Sequence, residues 1–386
     1  MTKRIRMIGA VLLLLLLGLV LSGCGATPVA QNWPGLTVDG DTVYAITGAP
    51  QEVHILDAET GAVKATFMPQ GIEGSAAAVS YWSPVTVGDG LAFVGFFQDR
   101  SDASNGLYAI DPETGQQQWR VLVNSQILSK PAYADGVVYF GTTDKMVYAV
   151  DVDSEGIVTG WPFETDSAVW ASPLVVDGRV YVASMDHVLY CLDAETGEEI
   201  WQTELGGAIA KQPLLVGDIL YVGAFDGRIY AIEADSGQVV EGFDFQAGNW
   251  IWSTPLLAGD RLFVTALDGF LYALDPATGD VQAPYPYNSG DIDGGKDVIR
   301  ANPVQVGDKI IIATEKGYVI SVEDAQQVCS WPSGVPEFAV YTTPVVSGEK
   351  LYVIQQLSGQ VYVFDASALE TGVCAANLLY TPPEGD

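Results

Sequence analysis

"LYCLDAETGEEIW", Leu189 to Trp201, recurs almost letter for letter as "LYAIDPETGQQQW" from Leu107 to Trp119. Looser copies run "VHILDAETGAVKATF" from Val53, "IYAIEADSGQVVEGF" from Ile229 and "LYALDPATGDVQAPY" from Leu271. A stretch repeated at a near-constant interval marks an architecture in which one small unit stacks on copies of itself. The chemistry of the motif says what that unit contains. An aspartate at the end of an apolar run can accept hydrogen bonds from the backbone N–H groups of its own turn, and the glycine four residues on can take the positive φ that closes it. The motif is therefore a stapled hairpin. Trp119 and Trp201 are large plates able to wedge between adjacent units.

A second recurring feature is a proline that opens an apolar strand: Pro84, Pro131, Pro173, Pro213, Pro255, Pro303 and Pro344, spaced by 47, 42, 40, 42, 48 and 41 residues. A first copy, "GLTVDGDTVYAI" from Gly35, keeps the pattern without the proline, which makes eight repeats. Within one of them, "SPLVVDGRVYVASMDHVLYCLDAETGEEIWQTEL" from Ser172, short apolar runs of period two alternate with three turn signals: "VVDGRV", the Asp186 and His187 pair, and "DAETGEE". That is four strands per repeat. Four-stranded units repeated every 40 to 50 residues predict an all-β, eight-bladed β-propeller with four-stranded antiparallel blades. The expected organisation is a leader over 1–23, a tether over 24–34 and one propeller over 35–386.

At these residues the chain resembles the quinoprotein-type propeller repeat, whose motif runs Ala-x-Asp-x-x-x-Gly-x-x-x-Trp. Asp111, Gly115 and Trp119, and Asp193, Gly197 and Trp201, match best. "EDAQQVCSW" and "DASALETGVCAANLLY", in the last two copies, lose or shift the glycine. The resemblance covers nearly the whole chain after the leader and implies one of two kinds of protein. One is a dehydrogenase holding pyrroloquinoline quinone beside calcium over the central channel, usually capped by a disulfide between adjacent cysteines. This sequence has no adjacent cysteine pair and nearly minimal repeats. The other is a non-catalytic scaffold, similar to the propeller lipoprotein of the outer-membrane β-barrel assembly machinery. The scaffold is the reading favoured, with no cofactor expected, and quinone binding is the alternative.

Lys3, Arg4 and Arg6 lead into the apolar run "MIGAVLLLLLLGLVL", which is short for a membrane span and ends in "LSGC". That ending resembles the lipobox of bacterial lipoproteins and implies lipidation at Cys24 and placement in the cell envelope, facing away from the cytoplasm. Loss of 1–23 removes three basic residues and no acidic one, moving the formal charge from −31 to −34. Such a surface repels nucleic acid. A protein partner at the envelope is expected instead, with the chain a monomer within an assembly. Of the later cysteines, Cys191 lies inside a strand pattern and reads as a small buried hydrophobe. Cys329 and Cys374 fall at similar places in neighbouring repeats, so a disulfide between them is permitted but not required.

No catalytic residues are identified. His54 stands where sister repeats carry Tyr, and His187 stands in a turn, neither with a nucleophile nearby in sequence. No metal site is expected: "DVDSEG" at Asp151 and "DIDGGKD" at Asp291 have the oxygen-rich look of calcium loops, but Asp and Gly are also good turn formers. The residues before each proline are more distinctive: "YWSP", "LSKP", "WASP", "AKQP", "WSTP", "RANP" and "YTTP". In a propeller these segments open the innermost strands. They nominate Tyr81, Trp82, Trp170, Trp252 and Tyr341 as aromatic faces, and Lys130, Lys211 and Arg300 as a cationic cluster, around the mouth of the channel. The alternative is that these aromatics only plug the channel or pack between blades.

Overall fold

In the computed structural model the chain divides into 1–31 and 32–386. The structure describes residues 35–47, 52–68, 79–98, 105–292, 297–332, 339–340, 342–355 and 358–383, all within the second unit. Cys24 and Tyr341 lie outside the described residues.

Eight antiparallel sheets follow one another along the chain, each built from one contiguous segment: 36–67, 79–123, 132–164, 174–204, 214–246, 256–288, 304–331 and 345–380, here blades 1 to 8. Blade 4 shows the plan, with strands Leu174–Val176, Arg179–Ala183, Val188–Asp193 and Glu199–Glu204 in sequential order. In blade 2 the innermost strand is broken into Val79–Tyr81 and Thr86–Gly88, both paired with Leu91–Gln98. In blade 3 the outer strand is broken instead, into Gly156–Ile157 and Phe163–Glu164.

The two middle strands of a blade are apolar throughout because both faces of the sheet are covered. In blade 4, Val180, Val182, Tyr190 and Leu192 pack on blade 3, while Tyr181, Ala183, Leu189 and Cys191 pack on blade 5. Eight such layers lie between consecutive blades, and the last joins blade 8 to blade 1 through Tyr352, Ile354, Val361 and Tyr380 against Val43, Ala45 and Leu56. The ring thus closes face to face, and among the described residues no strand is shared across the seam. The core is a circle of interfaces rather than a centre.

The repeated motif occupies these interfaces. Asp193 Oδ1 accepts from the backbone N–H of Glu195 at 3.1 Å and of Thr196 at 2.8 Å, and from the Thr196 hydroxyl at 2.9 Å. Those bonds, the one from the Thr196 N–H foremost, hold its carboxyl below the usual range. Asp111 is held in the same way by Glu113 and Thr114. Gly115 and Gly197 have φ of +66° and +73°. Trp119 and Trp201 are buried. The plate on the outer strand, or just before it, meets an aromatic on the second strand in five consecutive blades: Phe93 with Trp119, Tyr139 with Trp161, Tyr181 with Trp201, Tyr221 with Phe243 and Phe263 with Tyr285, ring centroids 5.5 to 5.8 Å apart. Where the tryptophan is lost, Phe243 or Tyr285 takes its place.

The two poorly matching copies solve the same turn differently. In blade 7, Asp324 and Ala325 form a two-residue hairpin at positive φ between the paired Glu323 and Gln326. In blade 8 the motif aspartate, Asp365, caps helix α1, Ala366–Glu370, accepting from the N–H groups of Ser367 and Ala368. Beside them a disulfide joins Cys329 of blade 7 to Cys374 of blade 8, with Cα atoms 5.6 Å apart.

Candidate functional site

Each innermost strand starts at the ring's centre, and the residues before its proline alternate as a strand should. The third and first residues before the proline face the lumen, as with Leu128 and Lys130, Trp170 and Ser172, and Ala210 and Gln212. Between them, Ala171, Ser253 and Ala301 are buried in the blades, whereas Ser129, Lys211 and Thr342, at the same middle position, also reach the lumen. Side chains of this segment also tie neighbouring blades together. Gln212 Nε2 donates to the Pro173 carbonyl at 2.8 Å, Thr254 Oγ1 to the Gln212 carbonyl at 2.9 Å, and the Asn302 N–H to Thr343 Oγ1 at 3.1 Å. On the other side of the ring Thr37 Oγ1 donates to the Val85 carbonyl at 2.6 Å, and Thr86 to that of Pro131.

This rigid rim encloses a cavity of about 610 Å³. Five of the residues nominated for the channel mouth line it: Trp82, Lys130, Trp170, Lys211 and Trp252. Arg300 stands beside them, its guanidinium carbon 5.4 Å from the centre of the Trp252 ring, and it pairs with Glu315. Tyr81 is a correction. It is fully buried in the layer between blades 1 and 2 with Phe96 and Tyr108, because the break in its strand turns Tyr81 inward and puts Trp82 at the lumen.

The electrostatics of the cavity are one-sided. Among the described residues, none that lines it is Asp or Glu, on a chain with 48 acidic and 17 basic residues. Lys211 is enclosed by protein, and that desolvation, with Arg300 nearby, pushes its ammonium down to about 8. Enclosure lowers Lys130 as well, against the pull of Asp39. Lys130 keeps surface open to the lumen, but a lumen is not bulk water. Among the described residues the indole N–H groups of Trp82 and Trp170 and the hydroxyl of Ser129 are buried without a hydrogen-bond partner.

One feature of the rim has no counterpart in the aligned residues. Trp250, from the connection into blade 6, stacks on Phe225, from the turn between the middle strands of blade 5, at 4.7 Å and 7°. Phe225 stacks in turn on Trp252 at 4.9 Å, and Trp252 lies 6.3 Å from Trp170. Four rings thus run from the cavity to an indole that is 42% exposed. The signal lay in single letters, Phe225 where sister turns have Met185 or Leu267, which no repeat pattern could raise.

The remaining candidates are structural in position. His54 is buried at the seam, its ring 5.2 Å from that of Tyr380. His187 sits at the turn position that Gly227 and Gly269 occupy in sister blades. Asp151 Oδ1 accepts from the Ser154 N–H at 2.7 Å, closing the "DVDSEG" turn on itself. Of "DIDGGKD", 293–296 and the side chains of Asp291 and Ile292 lie outside the described residues. Among the described residues no group of three or more His, Cys, Asp or Glu could hold a metal ion.

The sequence matches the model of the family described as outer membrane protein assembly factor BamB over residues 69–158 and 158–368. Comparison with curated proteins finds no match. Among solved structures, the fold is similar to that of BamB from Moraxella catarrhalis, with a TM-score of 0.69 and 20% identity over 89% of this chain and 97% of that one. It is also similar to the computationally designed Ika8 protein, with a TM-score of 0.67 and 17% identity over 87% and 96% of the two chains. At these identities the likeness is one of fold.

Proposed function

The chain belongs to the outer membrane protein assembly factor BamB family, and on that premise we propose that it is a non-catalytic scaffold of the cell envelope, anchored by lipid on Cys24 and docking a protein partner on the rim around its channel. The observation that carries the docking reading is the Trp250–Phe225–Trp252 stack. A half-exposed indole held rigid by a second ring offers large contact area at little entropic cost, which is how interface hot spots are built. Tight layers between all eight blades favour a rigid platform over a moving part.

Affinity capture from native membranes tests the reading. The parent chain should retain a defined partner, and Trp250→Ala should lose it without loss of melting temperature; equal capture by both would overturn docking at the rim. Cys24→Ala should release the protein from the membrane fraction, and unchanged association and mass would overturn the lipid anchor.

Quinone chemistry is the second reading. The donor set fits it poorly: among the described residues the cavity lining has no carboxylate to hold calcium or to act as a base. Titration with pyrroloquinoline quinone and Ca²⁺ separates the two. Saturable uptake with dye-linked oxidation of an alcohol or sugar would replace the scaffold by an enzyme.

A further inference from the structure

Lys130 and Lys211 converge on one enclosed space, and among the described residues neither has a carboxylate within ion-pair distance, although the chain carries almost three acidic residues for each basic one. Arg300, by contrast, is matched by Glu315. The unpartnered polar atoms here are donors too: Trp82 and Trp170 through their indole N–H groups, and Ser129, whose side chain is buried. A buried donor without an acceptor costs free energy, and so does an enclosed ammonium without a counter-charge. The indole and hydroxyl donors are closed off from the cavity, but Lys130 and Lys211 line it, and an anion there would supply the counter-charge they lack. The walls supply the rest of its description, since the rings of Trp170 and Trp252 line them, and the volume lies within the roughly 300–1,000 Å³ typical of small-molecule sites.

We propose that the central cavity binds a small organic anion, a carboxylate carried on a flat apolar body, with Lys211 and Lys130 receiving the carboxylate and Trp170 and Trp252 packing against the body. The site needs no chemistry from the protein. It shares Trp252 with the rim stack, but its test turns on Lys211 and that of docking on Trp250, so either reading can fail while the other stands.

The probe is 2-naphthoate, with the neutral 2-naphthamide as its isostere, titrated by calorimetry and by quenching of tryptophan fluorescence. The acid should bind saturably at one site, and the amide roughly tenfold or more weakly, the loss expected when a charge-assisted contact becomes a neutral one. Lys211→Met should lose a similar factor, while Lys64→Met, on the outer edge of blade 1, should match the parent. Affinity should hold below pH 8 and fall above it as Lys211 gives up its proton; the other charges of the site are Arg300 with its partner Glu315, and Lys130 with Asp39 nearby. Should Lys211→Met fail to fold, Lys211→Arg, which keeps the charge, should bind within a few-fold of the parent. No binding, equal binding of acid and amide, or an unchanged Lys211→Met overturns the site. Inorganic phosphate binding as tightly as 2-naphthoate overturns the ligand class.

Discussion

The hydroxyl of Tyr352 donates to the carbonyl of Ala58 at 3.0 Å, across 294 positions of chain. The same bond is made by Tyr139 to Ala194, Tyr181 to Ala234 and Tyr221 to Pro276, each time from the second strand of one blade to the residue after the motif acid in the next. The seam between blades 8 and 1 is therefore built like an ordinary interface. Tyr352→Phe should cost about 0.5–1.5 kcal/mol, the net worth of one hydrogen bond. Tyr181→Phe should cost the same within error, as chemical denaturation can show; a far larger loss at Tyr352 would mark the seam as special.

Gly237 lies against Trp201 of the preceding blade. A Cβ there would stand 2.6 Å from Trp201 Cε3, on a backbone with φ of +72°. Gly237→Ala adds left-handed strain of ~1–2 kcal/mol to an overlap with a buried ring of ~1–3 kcal/mol. The expected fall in stability is thus about twice that of Gly178→Ala, which bears the same strain at φ +72° but whose added Cβ meets nothing within 4 Å, when both are measured in urea.

Ala325 and His187 run the other way. Both hold a positive φ, +56° and +78°, that glycine takes freely. Ala325→Gly and His187→Gly should each raise stability, by up to about 1 kcal/mol once the greater freedom of glycine in the unfolded chain is set against the relieved strain. A thermal shift downward in either variant would show that the side chain contributes more than its strain costs.

His54 makes the seam acid-sensitive. Burial pushes its pKa from 6.5 down to about 4. Around it stand Glu52, 3.6 Å from Nε2, and Thr66, 3.5 Å from Nδ1, with the Tyr380 ring alongside; the pull of Glu52 does not offset burial. A lowered histidine pKa means that the unfolded chain binds the proton first. The stability of the neutral form is complete above pH 6.5 and is lost as pH falls toward 4, by at most about 3 kcal/mol. His54→Tyr, the residue of sister repeats, should remove that increment from the pH profile while leaving the carboxylate contribution common to both proteins. Superimposable profiles would refute it.

The plan of the ring was legible because its turns are written in chemistry that few residues can supply: Asp193 with its N–H partners and Gly197 at positive φ are visible as letters. The site was legible to the extent that the strand period held, which it did at Lys130, Trp170 and Trp252. It broke at Tyr81. "YWSP" looks like "WASP", but a strand interruption before Pro84 shifts the phase by one residue, and nothing in four letters reveals a ladder that stops and restarts. The stack of Trp250 on Phe225 was hidden for another reason: it joins two connections of unrelated sequence that only the ring's curvature brings together.

Because each blade is one consecutive segment of chain and, among the described residues, no strand crosses the seam, blades are whole units of exchange. A gene can duplicate, delete or reorder them without unpicking a sheet, and the ends of the polypeptide can be moved to any junction. Joining the last strand of blade 8 to the first strand of blade 1 by a linker and opening the chain between blades 4 and 5 should give a circular permutant with the same ring, whereas the Cys329–Cys374 bond ties blades 7 and 8 together by covalent chemistry beyond the backbone.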